Sequence, residues 1–390
     1  MKVESVKVGG WFQRTFIHLN EIREFIQTGS SQLALDPNVL KSNLALLEPT
    51  SIHYHEGSLD YLRFYSNGIK VTLCEDGLIT LTLEGDSVKI SQNELLEFYK
   101  QKLSPALEYL FSTGAPLPSE LANMELVTPY FITVSDATVS EISGIFEKYE
   151  EPVISDLERE DIELYRGGII NVINLKSSTT KLPEQIEEYI DQQIFARDFE
   201  VQLKRYLNLH REVWDMISEI KERGKIRGFE VKDLKGKIDS YAKVINLIDT
   251  RLDQMDSYLA VRESVVLRHQ GDTELYQALH YKYASLKSTL DYVNDLWTMT
   301  KNYVESAQEL FRELQSKATE GSLKNLTVVT TIGVFASLSK VLSKDGYDFT
   351  WYGVILLVSF IVVGLASSRL LKFIAARREY KIKNIKHPFE

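Results

Sequence analysis

From about Thr273 to Leu342 an amphipathic helical pattern runs, without a proline, into an apolar segment, and no other feature of the sequence restricts the possible folds as strongly. Its apolar stripe reads Leu286, Leu290, Val293, Trp297, Thr300, Val304, Ala307, Phe311, Leu314, Ala318, with steps alternating between four and three residues. That alternation predicts a helix burying one narrow seam against neighbouring helices. A rod of about 70 residues would extend on the order of 105 Å at 1.5 Å per residue. Past Gly321 the polar faces thin out, and between Leu323 and Leu342 only Lys324, Asn325 and Lys340 are strongly polar.

A second apolar run, Tyr352 to Leu371, carries no charge before Arg369 and has the length that a bilayer-spanning helix needs. The two runs predict a transmembrane hairpin: helix 323–342, an extracytoplasmic loop 343–351, helix 352–371 and a basic tail 372–390. The charge distribution orients it. The chain carries a net charge of −10, yet from Arg369 onward seven basic residues (Arg369, Lys372, Arg377, Arg378, Lys381, Lys383, Lys386) face only Glu379 and Glu390. Basic residues beside a membrane helix mark the cytoplasmic side. Both termini are therefore expected in the cytoplasm, with the protein in the cell (inner) membrane as a two-pass chain, and the basic tail is read as a partner of lipid rather than nucleic acid. Cys74 is the only cysteine, so an intrachain disulfide and thiolate metal clusters are excluded.

The first membrane helix has a patterned surface. Leu323, Leu326, Thr330, Gly333, Ser337 and Lys340 follow three-four spacing and share one face. Val328, Val334, Phe335, Leu338 and Leu342 spread over the other. Small and polar residues on a membrane helix face protein or water rather than lipid.

A long cytosolic helix that becomes the first membrane helix, a Leu326-Thr327 start, a short loop, a second helix and a basic tail together resemble the CorA-type magnesium transporters. That family carries Gly-Met-Asn-Phe in the loop; this chain has Gly346-Tyr347-Asp348-Phe349. Glycine and phenylalanine match, while Tyr347 replaces Met and Asp348 replaces Asn. The resemblance implies a funnel-shaped homopentamer whose pore is lined by Leu323, Leu326, Thr330, Gly333, Ser337 and Lys340. It also implies a selectivity loop at Gly346, Tyr347 and Asp348, with Asp348 holding hydrated Mg²⁺ through its outer shell. Mg²⁺, transported or regulatory, is the expected cation, and no organic cofactor is expected. Lys340 argues against simple cation passage, because ammonium groups repel a divalent ion unless the side chain snorkels to the headgroups.

Ahead of the rod, residues 1–178 predict a cytosolic α+β domain, and 179–322 a helical stalk or bundle that includes the long pore helix. Trp11 to Leu19 reads as a strand and Asn20 to Gln27 as a short helix. Residues 59–90 predict an antiparallel meander, its strands separated by Asn67-Gly68, Asp76-Gly77 and Gly85-Asp86 and its last strand at Val88–Ile90, because Asn-Gly and Asp-Gly favour tight hairpin turns. A helix over about Gln92–Phe111, a strand at Tyr130–Val134, a helix at Thr138–Tyr149 and a strand at Gly167–Leu175 follow. The acidic stretch Glu147, Glu150, Glu151, Asp156, Glu158, Glu160, Asp161, Glu163 reads as a solvated face, with a hard-cation sensor as the sharper alternative. The glycine pairs at 9–10 and 167–168 have no phosphate-loop context. No Walker loop, His-Glu-x-x-His, Gly-x-Ser-x-Gly or paired cysteine is present, so an enzyme is not expected. The sequence predicts a divalent-cation channel or transporter gated by its cytosolic domain; the alternative is a membrane-anchored CorA-like effector or sensor, without selective Mg²⁺ transport, controlled by a protein or nucleotide signal.

Overall fold

Tight turns organise the first sheet strands. Asn67 and Gly68 take positive φ (51° and 78°), as does Gly77 (94°), which closes β3 (Tyr61–Ser66) onto β4 (Ile69–Cys74) and β4 onto β5 (Leu78–Glu84) as antiparallel neighbours. The computed structural model describes the chain outside residues 14–18, 86–87, 112–128, 159–161, 177–182, 222, 224, 269–273, 342–361, 363–376, 378 and 382–390. The chain divides into two compact units, one formed by Met1–Leu207 with Leu252–Val293, the other by Asn208–Arg251 with Asn294–Glu390.

The first unit holds an α/β domain built on one mixed sheet. With β1 (Lys2–Trp11), β2 (Thr50–His55), β6 (Tyr130–Ser135), β7 (Ser155–Glu158), β8 (Ile162–Arg166) and β9 (Ile170–Leu175), its order is β2-β3-β4-β5-β1-β6-β9-β8-β7. Only β6 and β9 pair in parallel. Alternation along the strands sends Val6, Val8, Leu62, Phe64, Ile69, Val71, Leu73, Ile79, Leu81, Ile132, Val134, Ile170 and Val172 into one hydrophobic core. The covering helices are α1 (Leu19–Thr28), α2 (Pro37–Leu47), α3 (Val88–Phe98), α4 (Ser104–Phe111) and α5 (Val139–Lys148). Thr138 caps α5 through a complete capping box with Glu141.

Several local expectations need correction. The first strand is Lys2–Trp11, whereas 14–18 lie outside the described residues and Leu19 already opens α1. Val88–Ile90 belongs to α3: alternation over three residues cannot be told from the start of a helical stripe, and Leu95 and Phe98 continue that stripe into the core. The helix expected over 92–111 is interrupted by a π turn at Tyr99–Leu103, which keeps Tyr99, Leu103, Leu107 and Leu110 all buried. The strand expected to begin at Gly167 begins at Ile170. Part of the acidic stretch forms the edge strand β7 and its neighbour β8.

Long helices follow, in agreement with a stalk: α6 (Pro183–Lys221), α7 (Val231–Arg268) and α8 (Glu274–Val341). The seam of α8 from Leu286 to Leu314 is buried at every predicted position, and Leu234, Ile238, Ile245, Ile248, Leu252, Met255 and Leu259 are buried on α7. In the first unit Lys287 Nζ meets Asp256 at 2.6 Å. In the second, Lys301 meets Asp249 at 2.7 Å, Gln308 meets Asp239 at 2.9 Å and Lys235 meets Gln315 at 2.9 Å, pairs whose numbers rise on one helix as they fall on the other. At 68 residues, α8 measures about 102 Å.

Among the described residues no helix is long and apolar enough to cross a membrane. Residues 323–341 form the last part of α8, while Leu342, the loop 343–351 and the expected second span, except Val362, lie outside the described residues. The transmembrane hairpin therefore has no support from the described helices.

Candidate functional site

The second face of the sheet is mixed: it carries buried Trp11, Leu78, Phe131 and Ile173 together with charged and polar side chains. Positions that alternate with the core residues carry Lys7, Arg63, Lys70 and Thr72, and α6 meets them with matching groups. Lys7 Nζ lies 2.5 Å from Asp191. Lys70 is paired with Glu187, and Arg63 stands 4.0 Å from the same carboxylate. Burial works to raise the pKa of Glu187, but Lys7, Lys70 and Arg63 outweigh it and hold the carboxyl below its ordinary value.

Toward the end of β1 the contacts reach deeper. The Trp11 amide donates to Asp198 Oδ2 at 2.8 Å, Arg197 Nε donates to Asp198 Oδ1 at 2.7 Å, and Arg197 also donates to the Gly9 carbonyl at 3.1 Å. Burial raises the Asp198 pKa despite Arg197 and the Trp11 N–H. Gly9 is required here: a Cβ would stand 2.6 Å from the Ile79 carbonyl and 3.2 Å from Ile194 on α6. This glycine permits close approach of sheet and helix.

At the β4–β5 turn, Asp76 is fully buried and holds a bidentate pair with Arg262 of α7, Nε to Oδ2 at 2.6 Å and Nη2 to Oδ1 at 3.0 Å. Asp76 Oδ1 also accepts from the Leu78 amide, and its carbonyl accepts from Trp11 Nε1 at 2.8 Å. Burial alone would lower the Arg262 pKa, yet the adjacent carboxylate raises it, so the guanidinium stays charged. Beside it burial pushes the Cys74 thiol up to about 12 and raises the phenol of Tyr283, which donates to Gln192 at 2.5 Å. The group contains no activated nucleophile. Its bidentate, desolvated contacts, with the Tyr283–Gln192 bond, tie α6, α7 and α8 to the sheet within this unit.

The second unit contributes a different feature. The short strand β10 (Lys225–Arg227), in the turn between α6 and α7, pairs antiparallel with β11 (Glu379–Lys381) from the tail. The same turn lies alongside α8, where Lys221 reaches Ser306 at 3.1 Å and Lys235 reaches Gln315 at 2.9 Å. From Gln315, α8 continues about 39 Å to Val341, and the chain has returned to the level of the turn by residue 379.

The structure places the expected pore residues Leu323, Leu326, Thr330, Gly333, Ser337 and Lys340 on α8, where their spacing sets them on one face, and Thr330 and Gly333 are exposed. The side chains of the other four lie outside what is described, as do Gly346, Tyr347 and Asp348 in full. Part of the acidic stretch is spoken for: Glu151 accepts from the Ile169 and Ile170 amides, and Glu163 accepts from Asn174 and pairs with Lys176. Among the described residues no three His, Cys, Asp or Glu side chains converge as metal ligands. A surface cleft of about 320 Å³ beside the π turn is lined by Asn67, Ile69, Glu94, Glu97, Phe98, Gln101 and Lys102. Sequence reasoning missed the Asp76–Arg262 pair and β11. One signal was present: Arg262 continues the α7 stripe Leu252, Met255, Leu259 at the next three-residue step, and a charge on a seam calls for a buried partner. No family model matches this chain, and no curated protein is similar to it.

Proposed function

We propose that the chain is a CorA-like membrane channel or transporter for divalent cations, most simply Mg²⁺, gated by its N-terminal domain and acting as a homo-oligomer, a pentamer by that resemblance. The observation that carries this reading is the return of the chain. One continuous helix leaves the stalk and enters the first apolar run, and β11 brings the tail back to the stalk on the far side of the second. In this reading the two apolar runs between those paired segments form a two-pass hairpin, with both ends on the same side of a bilayer.

In this reading the face carrying Thr330, Gly333 and Ser337 lines a hydrated path, and Leu323 and Leu326 narrow it with apolar side chains that gate by excluding water. Mg²⁺ is the cargo. It surrenders water reluctantly, so Gly346, Tyr347 and Asp348 at the outer mouth select it through its hydration shell. The buried contacts of Asp76, Arg262, Asp198 and Trp11 make the sheet and its docked helices one mechanical piece.

The deciding experiment is ion uptake into liposomes carrying the full chain, with a Mg²⁺-sensitive dye inside and Ni²⁺, Co²⁺, Na⁺ and Cl⁻ alongside. Mg²⁺ entry blocked by a hexammine mimic of the hydrated ion is the expected result. Silence from inserted protein overturns transport and leaves the membrane-anchored effector.

A further inference from the structure

The level of the α6–α7 turn along α8 follows from three side-chain pairs of the second unit: Asp249, Asp239 and Lys235 of α7 meet Lys301, Gln308 and Gln315 of α8 in turn. Carried on for about six residues, that antiparallel register sets Phe229 level with about residue 320, roughly 5 Å short of Leu323, where the first apolar run begins. The turn is basic in a chain whose net charge is −10: between Lys221 and Lys237 the sequence has seven Lys or Arg against Glu222, Glu230 and Asp233. Burial sorts its side chains. Ile226, Val231 and Leu234 are buried, whereas Lys225, Arg227, Lys232 and Asp233 are exposed. Glu230 is used within the turn, where it accepts the Arg227 amide at 2.9 Å. The register of β10 with β11 adds Lys381 opposite Lys225 and Glu379 opposite Arg227. Phe229 breaks the sorting: its aromatic ring is 55% exposed in a turn whose other large apolar side chains are inside.

We propose that this turn is a lipid contact: Phe229 enters the interfacial layer of an anionic bilayer, and the positive charge around it, carried by Lys225, Arg227 and Lys232, binds acidic headgroups. The inference rests on the two-pass reading above, which puts the edge of the hydrocarbon at Leu323. The headgroup layer is about 5–7 Å thick on each side of that hydrocarbon, so a ring about 5 Å short of the apolar run lies inside it. An aromatic ring set among ammonium and guanidinium groups suits that layer better than water, which disfavours the ring, or hydrocarbon, which disfavours the charges. Charge then selects the lipid. The screening length at physiological salt is about 8 Å, so the basic side chains act on acidic headgroups across the remaining distance.

Phe229→Cys in the full chain, labelled with a nitroxide, tests the contact directly. The native Cys74 is buried with its thiol pKa pushed up to about 12, so it does not compete for the label. The labelled protein is placed in nanodiscs of phosphatidylglycerol and phosphatidylcholine in equal parts, or of phosphatidylcholine alone, and the nitroxide is probed with oxygen, which concentrates in the bilayer, and with a water-soluble nickel chelate. In the anionic discs oxygen is expected to reach the label more readily than the chelate does, and this preference is expected to fall in the neutral discs. Lys232 is exposed, so Lys232→Gln disturbs no packing; it should lower the ratio of immersed to water-exposed label about fivefold in the anionic discs. Salt at about 1 M, where the screening length is about 3 Å, should lower it as well. A label reached mainly by the chelate in anionic discs overturns the contact. So does a label shielded from both probes, which would show protein, the tail or a second copy, covering Phe229. Ratios equal in the two lipids and unmoved by Lys232→Gln overturn the role of charge. Alkaline carbonate extraction of the chain from vesicles tests the two-pass reading separately: a chain that is extracted overturns that reading, and immersion of the label on phosphatidylglycerol vesicles at neutral pH still decides the lipid contact.

Discussion

Arg262 on α7 and Asp76 at the β4–β5 turn face each other side by side through two hydrogen bonds of 2.6 and 3.0 Å, with side-chain exposures of only 3% and 0%. A pair this dry is held by geometry, since each ion alone would be expensive to keep from water. Removing one partner strands the other, at a cost of about 3–5 kcal/mol. Arg262→Met and Asp76→Asn should each lower the melting midpoint of the full-length protein sharply. The double variant should melt above the Arg262→Met single variant, because no charge is left unpaired. Additive losses in this double-mutant cycle would show that the two residues do not act as a pair.

Gly9 and Gly10 separate two kinds of crowding on the same strand. A methyl on Gly9 would press on the Ile79 carbonyl at 2.6 Å, a backbone atom locked in the sheet, whereas on Gly10 it would meet the tip of the Phe12 ring at 2.9 Å, which can turn aside. Gly9→Ala is expected to cost about 2–3 kcal/mol, the upper range for overpacking. Gly10→Ala should cost less than half as much. Comparing the two melting midpoints checks the assignment, and equal losses would contradict it.

How far these contacts were legible depends on the range of the forces that set them. The α8 seam could be read because helical periodicity is local: every position from Leu286 to Leu314 that the spacing selected is buried. The Asn67-Gly68 and Asp76-Gly77 turns could be read for the same reason, as positive φ is a property of one or two residues. The place of β1 beside both β5 and β6 could not, because partners more than 65 positions away are chosen by tertiary packing. Asp76 shows the limit within a single residue. Its turn-forming role was visible in the Asp-Gly pair, while its bond to a residue 186 positions away was not. The π turn at Tyr99–Leu103 left no trace beyond a stripe that fits a helix slightly out of phase.

His210 in the second unit offers a pH readout. Its Nε2 lies 2.7 Å from the Thr300 hydroxyl, its ring stacks on Trp214 at 6.1 Å and meets Trp297 edge-on at 5.4 Å. Burial lowers its pKa, and Arg211 adds to that, against an opposing contribution from the Leu296 carbonyl. A histidine whose folded pKa is depressed contributes stability that is present above its unfolded value, near 6.5, and lost as pH falls through the folded value. The melting midpoint of wild type relative to His210→Gln should therefore be constant above about pH 7 and decline below about 6.5. A difference that stays level down to pH 5 would show that the imidazole does not titrate against the fold.

Lys340 and Asp348 put the transport reading at greatest risk, because both depart from what cation passage favours. Lys340 keeps three-four register with Thr330, Gly333 and Ser337 on α8, so a symmetric assembly around that face would bring several ammonium groups to one level. A divalent ion passing within about 7 Å of one ammonium meets several kcal/mol of repulsion at an effective dielectric near 20. Each 1.4 kcal/mol is about tenfold in rate. Lys340→Ala should then raise Mg²⁺ uptake into liposomes by tenfold or more, and Lys340→Arg should leave it low, since charge and not shape sets the barrier. Asp348→Asn, which installs the loop residue of the resembling family, should raise uptake further by letting the hydrated ion leave a less strongly charged mouth. If Lys340→Ala and Lys340→Arg give the same flux, the ammonium does not stand on the ion's route, and the face that carries it is not the wall of a pore.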